Sequence, residues 1–149
     1  MKSKGLSISP IGVINTKFSG NEKMPRQGRF SNNTIGYIKL FDEFVDGLLD
    51  LDKFTHMILI FYFHKSDGFD LIQNSKRDHE KHGVFAIRSP FRPSGIGMST
   101  VKIKSVEGKI VHFYGADMIN GTPLLDIKPY IVDIDSYPDA NRGWLGDRF

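Results

Sequence analysis

The 149-residue sequence contains no cysteine. That excludes disulfides, thiolate zinc sites, iron–sulfur clusters and cysteine nucleophiles, and it leaves the redox compartment open. Long apolar runs are also missing: the longest, Met57 to Phe63, falls far short of the ~18 residues needed to span a bilayer. No apolar segment follows Met1-Lys-Ser-Lys-Gly, so no secretory signal is expected and a cytoplasmic location fits. What is present is core material. With 40% hydrophobic and 25% charged residues, the chain reads as one ordinary globular domain, and 12% aromatic residues spread along its length exclude disorder. The expected division is a core over about residues 8–137 and a tail over 138–149.

Excess charge is small, a formal +3, but it is unevenly placed. Residues 1–41 and 71–112 are rich in Lys and Arg, whereas 42–70 and 113–149 are rich in Asp and Glu. Two basic segments separated by an acidic one suit a bipolar surface whose basic side faces a polyanion such as RNA; a mixed, solvated surface is the plainer alternative.

Periodicity favours strands. Ile8 to Asn15 and Thr34 to Phe41 are short β-branched runs, and Thr16 to Asn33 between them reads as a long functional loop. Phe44 to Leu51 suits a short helix. Thr55 to His64 is nearly continuous in apolar residues, which predicts a strand buried on both faces. Lys65 to His82 reads as a polar loop and Gly83 to Ser89 as another strand. Met98 to Val106 and Lys109 to Tyr114 flank Glu107-Gly108, a hairpin signal, and Asn120-Gly121 is a turn before Thr122 to Ile131. At least six strands with few helices predict a mainly β, single-domain barrel.

Common cofactor signatures fail. Gly95-Ile-Gly97-Met-Ser-Thr lacks the third glycine and the following helix of a dinucleotide loop, and no phosphate-binding P-loop or serine elbow occurs. His79-Glu-Lys-His82 has chelating spacing, but a solvated polar loop is the favoured reading and no metal is expected.

Three segments carry residue types that packing alone does not require. Met24 to Arg29 holds Arg26 and Gln27 as donors beside Pro25. Phe85 to Ser99 places Arg88 and Arg92 on a turn stiffened by Pro90 and Pro93. Asn120 to Tyr130 has prolines near both ends, and its Asp126, set among apolar residues, needs a partner such as Lys128 or Arg88. His64, ending the apolar run, either caps the strand or lines a pocket.

Together these segments resemble the TsaA-like family, also called TrmO. The resemblance rests on P-I-G-V-I (10–14), P-R-Q (25–27), L-D-K-F-T-H (51–56), F-Y-F-H (61–64), G-V-F-A-I-R-S-P-F-R-P (83–93), I-G-M-S (96–99) and G-T-P-L-L-D-I-K-P-Y (121–130). It implies a non-Rossmann β-barrel with one or two short helices, S-adenosylmethionine as cofactor, a homodimer, and methylation of N6 in the threonylcarbamoyl-adenosine beside the anticodon of threonine tRNA. Carried over by position, it places Pro25, Arg26, Gln27, His64, Lys65, Arg88, Met98 and Leu124, Leu125, Asp126 and Ile127 at the cofactor. Candidate proton acceptors are His64, Asp126 and Tyr130. Lys23, Arg29, Lys39, Lys76 and Arg77 are candidate phosphate contacts in the anticodon loop. Two features depart from the common pattern: Ser94-Gly95 stands where the family usually has Asn-Pro, and the length matches the shorter, single-domain members. A small-molecule methyltransferase and a non-catalytic cofactor-binding module are the alternative functions.

Overall fold

The computed structural model describes residues 5–20 and 33–148. Its strands are β1 (Gly12–Asn15), β2 (Ile35–Leu40), β3 (His56–Tyr62), β4 (Ile72–Asn74), β5 (Lys81–Gly83), β6 (Ile96–Glu107), β7 (Ile110–Tyr114) and β8 (Thr122–Pro129). Six of them close into an antiparallel barrel in the order β1-β2-β7-β6-β3-β8, while β4 and β5 form a separate two-stranded sheet. Closure satisfies the edges: β1 pairs with β2 on one side and with β8 on the other. The fold is therefore mainly β, as expected.

Alternation decides which side chains fill the barrel. Ile14, Ile38, Met57, Leu59, Val101, Val111, Phe113 and Leu124 point inward and are buried. The expected double burial of the strand around residues 55–64 is corrected by β3. Met57, Leu59 and Phe61 are buried, but His56, Ile58 and Ile60 on the other face are only half-buried. That face looks out of the barrel, so its isoleucines are covered only in part.

The β6–β7 hairpin turns at Gly108, whose φ of 59° is the left-handed conformation that glycine adopts without penalty. The helix expected from Phe44 is instead two short 3₁₀ segments, Asp42–Leu48 and Leu51–Lys53, separated by Asp50 at a φ of 69°.

Two other expectations are corrected between β3 and β6. The polar stretch over residues 65–82 contains β4 and most of β5, which pair as a hairpin, and a nearly buried hydrogen bond between His82 Nε2 and Asp78 Oδ2 at 2.8 Å. Burial opposes ionisation of Asp78, but the Glu80 N–H and His82 outweigh it and hold the carboxyl below its usual value. The apolar run after Gly83 is a 3₁₀ turn, Val84–Ala86, because only Val84 finds the interior while Phe85 stands in solvent. The tail fixes this turn: Trp144 stacks on His82 with ring centroids 3.8 Å apart and its Nε1 donates to the Ala86 carbonyl at 2.8 Å. No group of three metal-ligating side chains occurs among the described residues. No helix there is long and apolar enough to cross a membrane.

Candidate functional site

One end of the barrel opens into a cavity of about 470 Å³, within the roughly 300–1,000 Å³ usual for small-molecule sites. Its floor is aromatic. A Cβ on Gly97 would lie 2.4 Å from the Phe61 ring and 2.7 Å from that of Phe63, so only glycine leaves room for both. The two rings meet edge to face, with centroids 5.5 Å apart. Ile96, Met98, Met118 and Ile119 complete an apolar wall.

Charged groups converge on this wall from three places. His64 and Lys65 follow β3, Arg88 and Arg92 come from the turn before β6, and Asp117 from the connection after β7. The two arginines differ in role. Arg92 Nη1 donates to the Ile87 carbonyl at 2.7 Å and to the Ser89 carbonyl at 3.4 Å, which braces the turn. Arg88 is exposed at the cavity wall. Lys65 Nζ donates to the Ser19 carbonyl at 3.3 Å, tying the chain just after β1 to the site.

Asp117 is the one carboxylate among the lining residues. The Ser99 hydroxyl, almost fully buried, donates to both of its oxygens at 2.8 and 3.0 Å. A hydroxyl that bridges both oxygens fixes the carboxylate plane. Burial lowers the affinity of His64 for a proton and the Lys65 charge lowers it further, so the imidazole titrates below its ordinary value.

Of the residues singled out in the sequence, His64, Lys65, Arg88 and Met98 come together here. Leu124 is sealed in the core and Ile127 packs against it. Asp126 is half-exposed on the outer face and pairs with Lys128 at 2.8 Å, an interaction that raises the Lys128 pKa through hydrogen bond and charge. Tyr130 lies beyond the end of β8, its N–H on the His56 carbonyl, at the opposite end of β3 from His64. The cavity thus contains neither Asp126 nor Tyr130. Leu125 has no register partner in β1 or β3, where the ladder shifts between Ile60 and Phe61. Pro25, Arg26, Gln27, Lys23 and Arg29 lie outside the described residues.

Sequence reasoning missed Asp117 and Ser99. A signal for the first is a lone acid between Ala116 and Met118, both buried; for the second, the inward phase of Gly97, Ser99 and Val101 along β6.

Barrel and cavity together define a small-ligand site that presents cations, one anchored carboxylate and an aromatic floor. The chain matches the tRNA-methyltransferase O N-terminal domain over residues 13–136, and it belongs to that family. It is 40% identical over 136 residues to a probable S-adenosyl-L-methionine-binding protein of Pyrococcus abyssi, covering 91% of this chain and 74% of that one. It is 37% identical to a tRNA (adenine(37)-N6)-methyltransferase of Rattus norvegicus, covering 91% of this chain but only 33% of the rat protein. A crystal structure of TrmO from Pseudomonas aeruginosa superposes with a TM-score of 0.81 at 35% identity, over 94% of this chain and 62% of that one. The chain therefore spans a third of the rat enzyme and less than two thirds of the solved structure.

Proposed function

We propose that this chain is an S-adenosylmethionine-dependent methyltransferase that modifies N6 of threonylcarbamoyl-adenosine at position 37 of threonine tRNA, with the cofactor in the barrel-end cavity. The observation that carries the reading is the convergence of Lys65, Arg88 and Asp117 on an aromatic and methionine wall in a chain of this family. The chemistry of the donor set fits the cofactor. Lys65 and Arg88 offer cations to its carboxylate, Asp117 offers an anion to its ammonium or sulfonium, and Phe63, Ile96 and Met98 offer an apolar face to its adenine. Leu125, where the β8 ladder shifts, lies three residues along the strand from Thr122 of the cavity wall and belongs to the same proposed site.

Bound there, S-adenosylmethionine supplies an electrophilic methyl group on a positively charged sulfur. The residues around it exclude water and align the reactants, which for an in-line displacement supplies most of the acceleration. His64 is the group placed to take the proton from the attacking nitrogen. Its lowered pKa keeps it neutral at pH 7, the form that accepts a proton. Subunit pairing belongs to the same proposal, supported by Tyr62, Phe69, Phe91, Ile96 and Met98, all exposed around the cavity and the recess beside it.

The reading is tested by incubating the protein with labelled S-adenosylmethionine and threonylcarbamoylated tRNA. Label on N6 supports it. Tight cofactor binding without transfer to RNA or to small metabolites selects a binding protein instead.

Two further outcomes are expected. Arg88→Ala loses a charge-assisted hydrogen bond worth about 1.5–3 kcal/mol, so calorimetry should show cofactor affinity falling by roughly tenfold or somewhat more with the domain still folded, the exposure of Arg88 favouring the lower end. Unchanged affinity removes Arg88 from the site. The rate of methyl transfer should be flat between pH 7 and 8, with its acid limb below the ordinary histidine value of 6.5. The sign follows from the shift: a lowered pKa means that the proton returns to His64 only under more acidic conditions. An acid limb above 7 contradicts this assignment.

A further inference from the structure

The alternation that turns Ile38, Val101 and Val111 into the core turns a different set of side chains outward on the same three strands. On β2 these are Ile35, Tyr37 and Lys39, on β7 Ile110, His112 and Tyr114, and on β6 Thr100, Lys102 and Ser105, with exposed Lys104 as the extra residue where the ladder shifts. Register brings them together. Tyr37 lies opposite His112, with ring centroids 5.6 Å apart and planes tilted by 41°, and Tyr114 lies opposite Lys102. The Ser105 hydroxyl is 3.4 Å from His112 Nδ1, and Lys102 is also the partner of His56, which carries the row onto β3.

Charge on this face is almost all positive. Lys53, Lys109 and Lys128 are each engaged by an aspartate, whereas Lys39, Lys102 and Lys104 have no ion pair with a described carboxylate. The three strands carry a single acid, Glu107, at the hairpin tip. Aromatic rings interleaved with unpaired lysines on an exposed sheet are the arrangement that binds single-stranded nucleic acid, rings stacking on bases and ammonium groups meeting phosphates. Lysine is depleted from protein–protein interfaces, so three lysines on one face argue against a protein partner.

Its position also links it to the cavity. Met98, at the cavity wall, and Thr100 and Lys102 succeed one another along the outward side of β6, with exposed Lys104 beyond them at the ladder's irregularity. At ~3.3 Å per residue, Lys102 lies about 13 Å from Met98, within reach of a few nucleotides. We propose that the outer face of β2, β7 and β6 holds the unpaired nucleotides flanking the base that enters the cavity. Tyr37, His112 and Tyr114 are its stacking platform, and Lys39, Lys102 and Lys104 are its phosphate contacts. This rests on RNA being the substrate.

The experiment is fluorescence anisotropy of a labelled, unstructured oligoribonucleotide titrated with the full chain at several salt concentrations. Wild type should bind the single strand better than the same sequence in a duplex. Lys102→Glu with Lys104→Glu should weaken binding more than tenfold, and removing two phosphate contacts should flatten the slope of log K against log salt by about 1.4. Tyr37→Ala should weaken binding severalfold with the slope unchanged. Lys102→Gln, which keeps the chain length without the charge, guards against a misfolded charge-reversal variant, as do melting curves and cofactor calorimetry. Unchanged affinity and slope overturn the proposal. So does lost binding accompanied by a change in sedimentation, which makes the face a contact between copies. The two readings fail separately: variants that methylate RNA with wild-type KM overturn this face alone, and a wild type that binds RNA here but transfers no methyl overturns the activity alone.

Discussion

Asp117→Asn is expected to lower affinity for S-adenosylmethionine by more than tenfold while lowering affinity for the demethylated product, a neutral thioether, by much less. The substitution keeps an oxygen for the Ser99 hydroxyl, which now reaches both carboxylate oxygens at 2.8 and 3.0 Å, and keeps the volume of the side chain. The charge is lost, and one of the two acceptor oxygens becomes an amide donor facing the same hydroxyl. Two unit charges about 4 Å apart attract by ~4 kcal/mol at an effective dielectric constant near 20; tenfold in affinity takes only about 1.4 kcal/mol, which leaves a margin for solvent screening at a half-buried group. Because both ligands carry the same ammonium and carboxylate, the ratio of their affinities isolates the sulfonium. Calorimetry with each ligand reads it directly. Equal losses place Asp117 against the ammonium instead, and no loss for either removes it from the site.

The history of this carboxylate shows which parts of the site can be read from a sequence. His64, Lys65, Arg88 and Met98 lie within or directly beside recognisable motifs, and a motif carries its residues to the cavity as a block. Asp117 lies in no such motif, and it meets Ser99 because the β6–β7 register that pairs Lys102 with Tyr114 leads on toward Ser99 and Asp117. Asp126 shows the converse. Thr122 and Leu124 point inward, so strict alternation would turn Asp126 inward too; the extra residue at Leu125 reverses the phase, and Asp126 faces Lys128 outside.

The fold divides along the same line. The β6–β7 hairpin is local: a glycine turn and the alternation of Val101 with Lys102 declare it. Barrel closure by pairing of Gly12 with Leu124 joins residues more than 100 positions apart, and no neighbouring residues announce it. Val84 to Ala86 failed as a strand for a related reason. An apolar run states that something is buried but not how much of it, and its final shape depends on Trp144 of the distant tail.

The largest effect on stability is expected at Phe113, which lies fully buried between Gly36 of β2 and Ile103 of β6. Phe113→Ala should cost about 3–5 kcal/mol, and at roughly 2–4 °C per kcal/mol for a chain of this size the melting temperature should fall by on the order of 10 °C. Gly36 identifies the contact responsible. A Cβ there would lie 2.8 Å from the Phe113 ring, 3.1 Å from the Ala116 side chain and 3.2 Å from the Asn15 carbonyl, so Gly36→Ala alone should destabilise by about 1–3 kcal/mol through overpacking. Once the ring is gone, the same methyl group enters the space it vacated and only the two longer contacts remain. The double variant should therefore be more stable than the sum of the single losses by about 1 kcal/mol, as residues in direct contact require. Losses that add within ~0.3–0.5 kcal/mol would show that ring and glycine do not share this space. Phe113 is absent from the cavity wall. Its truncation should leave cofactor affinity within a few fold at a temperature where the barrel is folded, the reverse of Asp117→Asn, whose larger effect is on binding. That opposition separates what holds the barrel closed from what the barrel holds.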